Sequence, residues 1–274
     1  MAIKVITINS ETADFKFAES LKNNRQKRSK SQLFFVEGVN SINLLIENNW
    51  SIDTLIYSTE KKQSDWAKNI IKKTGAKTHL DMKYNLLKKL SDKEETSEII
   101  ALVSMPKDDL PKIKIKKNPL IVILDRPASP GNLGTIIRSC NSFLVDGIII
   151  TGHATDLYDP KTILASVGSI FSIPIVRLES HNKIKIWLDK LKITFSDLQI
   201  IGTSAKAKNF INNYDLTKPT VLLVGNETNG LSFNYKNMCD SLLKIPLFGS
   251  ASSLNVGCAT AIFLYEINNQ RKKK

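Results

Sequence analysis

Short apolar runs alternate with helical patterns along most of the chain. In the front part LFFV (33–36), TLIY (54–57) and IIALV (99–103) read as buried strands. Between them Val39, Ile42, Leu45 and Ile46, then Trp66 and Ile70, recur at helical spacing, so strands and helices alternate as in an α/β layer. The segment PKDDLPKIKIKKNP (106–119) is rich in proline and lysine and reads as a linker that packs no core.

The rear part opens on LIVILD (120–125), and further apolar runs follow at 147–150, 172–176, 198–202, 221–224 and 242–246. Helical patterns intervene at 133–144, 160–168, 182–193 and 253–268. Near-continuous apolar strands separated by helices predict a mostly parallel sheet covered on both faces. Such sheets bind ligands beyond the carboxyl ends of their strands. The expected organisation is an α/β domain over 1–105, a linker over 106–118 and a second α/β domain over 119–274.

Composition narrows the function classes. With 274 residues, 42% hydrophobic and 24% charged, the chain suits two globular domains. Its apolar runs fall far short of the ~18 residues a membrane span needs. The N-terminal MAIKVITINSETADF lacks a basic segment followed by an apolar one, so secretion is not expected. Cys140, Cys239 and Cys258 form no CxxC pair, and His79, His153 and His181 are scattered. Neither a disulfide scaffold nor a metal site is expected, and the default compartment is the reducing cytoplasm. A net charge of +13 suits a polyanionic partner. Much of the rear excess sits in the tail Arg271-Lys272-Lys273-Lys274.

Three loops carry the unusual residues. DRPASPGNLGTIIRSCNSF (125–143) combines prolines that stiffen the strand exit with Gly131 and Gly134, an Asn132 placed to cap a helix, and Arg138 on that helix. A helix N-terminus beside an arginine suits a phosphate; a Gly/Pro turn with a solvated arginine is the plainer reading. VLLVGNETNGLS (221–232) sets Glu227 between Gly225 and Gly230 straight after a strand, without the GxGxxG of a dinucleotide site. KIPLFGSASSLNVGCATAIFLYE (244–266) offers Ser252 or Ser253 as N-cap of a helix whose apolar stripe runs through Leu254, Cys258, Ala261, Ile262 and Tyr265. On that stripe Cys258 reads as a packed thiol and not a nucleophile.

Together these loops resemble the three signature motifs of the SpoU (TrmH-type) RNA 2′-O-ribose methyltransferases of the SPOUT superfamily. The matches run through Asn132, Gly134 and Arg138, then Gly225, Asn226, Glu227 and Gly230, then Ile245, Pro246, Ser253, Leu254 and Asn255. The front part is similar to the family's L30e-like substrate-binding domain through VEG (36–38) and the strand at 98–104. Within the family, SPGNLGTIIRS, GHATDLYDPKTI, LVGNETNGLS and GSASSLN look most like the avilamycin-resistance type of 23S rRNA uridine 2′-O-methyltransferase.

The resemblance implies a trefoil-knotted SPOUT domain, an obligate homodimer and S-adenosylmethionine as methyl donor. It implies that Thr203, Gly225, Asn226, Gly230, Ile245, Leu247, Ser253 and Leu254 surround the cofactor, and that Arg138, Asn132, Glu227 and Asn255 form the catalytic set. An arginine stays protonated up to about pH 12, so Arg138 is better read as a clamp on phosphate and on the forming 2′-alkoxide than as a general base. Lys22, Arg25, Lys27, Arg28 and Lys30, with no acid between them, are the candidate RNA contact. A tRNA methyltransferase and a non-catalytic rRNA-binding factor of the same fold are the alternatives.

Overall fold

The computed structural model describes residues 4–272, so Lys273 and Lys274 of the basic tail and the first three residues lie outside the described part. The elements are β1 (Lys4–Ile8), α1 (Ala13–Asn23), α2 (Arg25–Ser31), β2 (Leu33–Glu37), α3 (Val39–Glu47), β3 (Ile52–Tyr57), α4 (Asp65–Lys73), β4 (Thr78–Met82), α5 (Tyr84–Leu90) and β5 (Ile99–Ser104). There follow β6 (Leu120–Asp125), α6 (Pro130–Ser142), β7 (Gly147–Thr151), α7 (Pro160–Ser166), β8 (Ile175–Arg177) and α8 (His181–Thr194). The chain ends with β9 (Gln199–Thr203), β10 (Asn209–Phe210), β11 (Thr220–Val224), α9 (Phe233–Met238), β12 (Ser241–Lys244) and α10 (Val256–Lys272). Among the described residues no helix is long and apolar enough to cross a membrane.

The chain divides into two compact units. One takes the described residues up to Lys107 together with Asp156–Ser172; the other takes Asp108–Thr155 and the described residues from Ile173 on. The first holds a mixed sheet in the order β1-β4-β3-β5-β2, in which β1, β4 and β3 run parallel and β5 and β2 antiparallel. The second holds a wholly parallel sheet, β10-β12-β9-β11-β6-β7-β8. Its central strands β6, β7 and β11 are buried at every position, as their unbroken apolar runs predict.

Pattern reading missed several elements of the first unit. In KVITI and THLDM polar residues interrupt the apolar run, and in β1 the burial is confined to one end. α2, with sequence RQKRSKS, carries no apolar residue, so hydrophobic periodicity cannot reveal it.

Two sequence expectations are corrected here. The stretch 106–118 is no bare linker. Ile113 is buried in the second unit's core, where a Cβ on Gly147 would come within 2.7 Å of it. Asp108 accepts from the Arg177 backbone and guanidinium, and Lys116 pairs with the buried Asp146 at 2.6 Å. The run Lys22 to Lys30 is likewise not a free basic face. Arg28 is 2% exposed, and its guanidinium donates to the carbonyls of Leu21 and Lys22 and to the carboxylates of Asp156 and Asp159. Lys22 donates to the Leu90 carbonyl and pairs with Asp92. A seven-residue helix that follows α1 without an apolar face has to turn some side chain inward, and position 28 faces the carbonyls that end α1.

The same arginine explains why Asp156–Ser172 packs with the first unit although it is remote in sequence. Asp159 caps α7 by accepting from Lys161 N and turns its other oxygen to Arg28. Tyr158 and Phe171 pack against Phe34, at 4.5 and 6.4 Å between ring centroids, and Phe171 meets Trp50 edge-on. Replacing Arg28 with Ala leaves Asp156 buried without its cation, so Arg28→Ala is expected to lower stability by about 3–5 kcal/mol. Denaturant unfolding measures this; a loss of RNA affinity with unchanged stability contradicts it.

Candidate active site

Because the second sheet is parallel, its strands end on one edge. In the order β12-β9-β11-β6, Leu243 lies beside Thr203, Leu223 beside Gly202, and Val224 beside Leu124. Residues Ile245, Thr203, Gly225 and Arg126 therefore leave four adjacent strands together. The three unusual loops begin there.

The first loop enters α6 through Ser129, whose hydroxyl accepts from Asn132 N, with Pro130 as the first helical residue. Asn132 is not itself the cap, as the sequence suggested; its side chain reaches across. Asn132 Nδ2 donates to Glu227 Oε1 at 3.1 Å, and its Oδ1 accepts from Asn255 Nδ2 at 3.0 Å. Glu227 also accepts from the backbone N–H of Ala128 and of Ser129, at 3.0 and 3.1 Å. One relay, Glu227–Asn132–Asn255, thus joins residues from all three loops.

Burial works against ionising Glu227. The hydrogen bonds from Asn132 and from the backbone of its own residue, Ala128 and Ser129 outweigh it and hold the carboxyl below its ordinary range. With both oxygens engaged, this group orients loops and is a poor proton acceptor.

The second loop is closed by Asn226. Its backbone exchanges hydrogen bonds with Gly230, and its Oδ1 accepts from Thr228 N and Asn229 N. Its Nδ2 donates to the Arg126 carbonyl at 2.8 Å. Asn226 therefore braces this loop. A Cβ at Gly225 would lie 2.3 Å from the backbone of Gly230 and Leu231, so only glycine permits the closure.

The third loop departs most from expectation. α10 begins at Val256, and its cap is Asn255, whose Oδ1 accepts from Gly257 N at 2.8 Å and from Cys258 N at 3.3 Å. Ser253 is exposed and makes no side-chain hydrogen bond among the described residues. The buried face of α10 runs through Gly257, Thr260, Phe263, Leu264 and Ile267, not through Cys258 and Tyr265. Cys258 is exposed, while burial pushes up the thiols of Cys140 and Cys239, the latter to about 12. The stripe read as core is left open, with Ile262 38% and Tyr265 59% exposed. Gly257 lets α10 lie against α6, since a Cβ there would meet Thr135 at 3.1 Å.

Arg138 stands apart from the relay. It lies six residues beyond Asn132, about 9 Å along α6, is exposed, and has no carboxylate partner or side-chain hydrogen bond among the described residues. Arg25, Lys27 and Lys30 are exposed on the first unit. Arg271 of the tail is no loose cation: it donates to the carbonyls of Leu216, Asn118, Pro119 and Lys218.

Asp125 and Arg126 were not singled out from sequence. Asp125 is 2% exposed, accepts from Arg126 Nε and Nη2, and accepts from Ser232 N at 2.7 Å. The available signal was an acid that ends an otherwise apolar strand, followed at once by a base.

These features define an α/β protein with a ligand site at the carboxyl edge of a parallel sheet and an accessory mixed α/β unit. The chain belongs to the SpoU rRNA methylase family: that family's profile matches residues 119–265, and the profile of the SpoU L30e-like domain matches residues 12–101. It is 40% identical over 265 residues to the 23S rRNA (uridine(2479)-2′-O)-methyltransferase of Streptomyces viridochromogenes, covering 96% of this chain and 92% of that one. The crystal structure of the SpoU methyltransferase AviRb from the same organism, in complex with AdoMet, superposes with a TM-score of 0.89 at 39% identity, over 95% of this chain and 98% of that one. An AdoMet-bound rRNA methyltransferase from Sinorhizobium meliloti gives 0.85 at 28% identity, over 97% and 98%.

The edge fits such a cofactor. Three adjacent strand ends, at Thr203, Gly225 and Ile245, present backbone there. Leu247 and Leu254, each 38% exposed, offer apolar surface in the third loop.

The carboxylate of Glu227 gives a pH signature. Because its folded pKa is lowered, its contribution is complete above the unfolded value of about 4.3 and is lost as pH falls through the folded value. Glu227→Gln sets an amide N–H against N–H donors, so a loss of about 1 kcal/mol at pH 7 is expected, discounted for the group's exposure. Thermal melts from pH 7 downward should show the gap to wild type narrowing in acid.

Proposed function

We propose that this protein is an S-adenosylmethionine-dependent RNA 2′-O-ribose methyltransferase whose substrate is 23S rRNA, with a uridine as target. The observation that carries the reading is the Glu227–Asn132–Asn255 relay, which gathers the three motif loops at the carboxyl edge of the parallel sheet. Likeness to the Streptomyces 23S rRNA uridine methyltransferase across nearly the whole of both chains favours rRNA over tRNA.

When bound, the cofactor supplies an electrophilic methyl group on a sulfonium, so the protein's work is positioning and electrostatics. Thr203, Gly225, Ile245 and Leu254 would hold it through backbone groups, with Gly230, Leu247 and Ser253 beside them and Asn226 bracing the loop. Arg138, free of any carboxylate among the described residues, is the clamp for the target's phosphate and stabilises the forming 2′-alkoxide. Glu227, Asn132 and Asn255 fix the loops around it. The exposed Arg25, Lys27 and Lys30 add salt-dependent affinity for the RNA backbone.

The protein acts as a homodimer. Leu254 in the third loop, with Ile262 and Tyr265 on α10, leaves apolar surface open that a second copy would cover. The rear domain is trefoil-knotted, and the enzyme works in the cytoplasm, where its three cysteines stay reduced.

Primer extension at limiting nucleotide, on 23S rRNA incubated with protein and S-adenosylmethionine, is expected to give one new stop. Arg138→Ala is expected to lose at least about a hundredfold in kcat while calorimetry shows cofactor affinity retained. Absence of any stop with the wild type rejects the function, and near-native turnover by the variant rejects the role of Arg138.

A further inference from the structure

Five non-glycine residues adopt a left-handed backbone among the described residues: Gln32, Asn49, Arg126, Leu144 and Val167. Four of them close helices: Gln32 ends α2, Asn49 follows α3, Leu144 follows α6 and Val167 ends α7, and helices commonly end this way. Arg126, at φ 53°, is the exception. It follows strand β6 at the edge where the site lies. A strained conformation at a residue that closes no helix is held only when its surroundings over-determine it.

Its surroundings do so from every side. The Arg126 N–H donates to the Thr151 carbonyl at 3.1 Å, and its own carbonyl accepts from Asn226 Nδ2 at 2.8 Å. Nε and Nη2 donate to the two oxygens of Asp125, at 2.8 and 3.1 Å, and Nη2 also reaches the Gly230 carbonyl at 3.4 Å. Asp125 turns one of those oxygens to Ser232 N. The side-chain stem passes over Gly152, where a Cβ would come within 2.7 Å of Arg126 Cγ. One residue thus touches both ends of the loop that carries Glu227, at Asn226 and Gly230, and starts the loop that carries Ala128, Ser129 and Asn132.

We propose that Arg126 is a positioning residue for methyl transfer: a latch, set by the buried Asp125, that fixes the second loop against the first so that Glu227 meets Ala128, Ser129 and Asn132. The left-handed turn aims the Arg126 carbonyl at Asn226, and the planar guanidinium fork spans Asp125 and Gly230 together. A lysine ammonium has no such fork. The latch acts through Glu227 and Asn132, so its loss misplaces the reactants without removing a group that touches them. A small misplacement of that kind lowers turnover steeply. The inference rests on the methyltransferase reading above.

Arg126→Gly separates the backbone from the guanidinium, because glycine accepts the left-handed conformation freely. The test follows RNA methylation with turnover counted per cofactor-binding site by calorimetry, alongside hydrogen exchange of the Ala128 and Ser129 amides. Arg126→Gly is expected to lower kcat per site by at least about tenfold with KM for RNA little changed, and to speed exchange at both amides by a similar factor. Arg126→Lys should recover part of both, and should it prove the only variant that folds, it must still fall below wild type in kcat. The latch is overturned by wild-type kcat per site in either folded variant, by unchanged amide exchange, or by a loss confined to the number of cofactor sites. A wild type that methylates no RNA refutes the methyltransferase reading instead, and amide exchange still decides the latch.

Discussion

Loops that leave the carboxyl edge of a parallel sheet have no ladder partners, so their shape rests on side chains that cross between them. Here the crossing group is the carboxylate of Glu227, which collects two backbone N–H groups and one amide from the first loop. Asn132 passes the connection on to Asn255, which in turn caps α10. A cluster of donors around one anion is stable only while that anion is charged, and the donors keep it charged by lowering its pKa. The site's geometry and its electrostatics are therefore the same set of bonds.

Basic residues serve two different ends in this chain. Arg28 and Arg271 are structural, each guanidinium collecting several carbonyls or carboxylates that would otherwise lie unpaired. Arg138, Lys27 and Lys30 face solvent. Net charge reports the sum of both kinds, which is why +13 alone says little about where a polyanion would sit.

α10 shows how periodicity can name the right element and the wrong face. Leu254, Cys258, Ile262 and Tyr265 recur at helical spacing, and so do Gly257, Thr260, Phe263, Leu264 and Ile267. The second set is buried because Gly257 admits α6 closely, a choice that apolarity does not reveal. The first set then remains as surface.

The amino-acid pattern by itself determined the rear parallel strands apart from the two-residue β10, the helices between them apart from the short α9, and the three loops that matter, since strands buried on both faces are apolar almost throughout and site loops need glycine, asparagine and charge at strand ends. It also placed Asn132, Glu227 and Asn255 among the candidates. Only the folded chain decided that these three bond to one another, that Arg138 does not join them, and that Arg126 is held in a left-handed turn. It alone turned Arg28 inward, brought Asp156–Ser172 to the first unit, and seated Ile113 in a core. The physical reason is range: hydrophobic periodicity is written in neighbouring residues, whereas a hydrogen bond between side chains a hundred positions apart exists only once the sheet has set its edge.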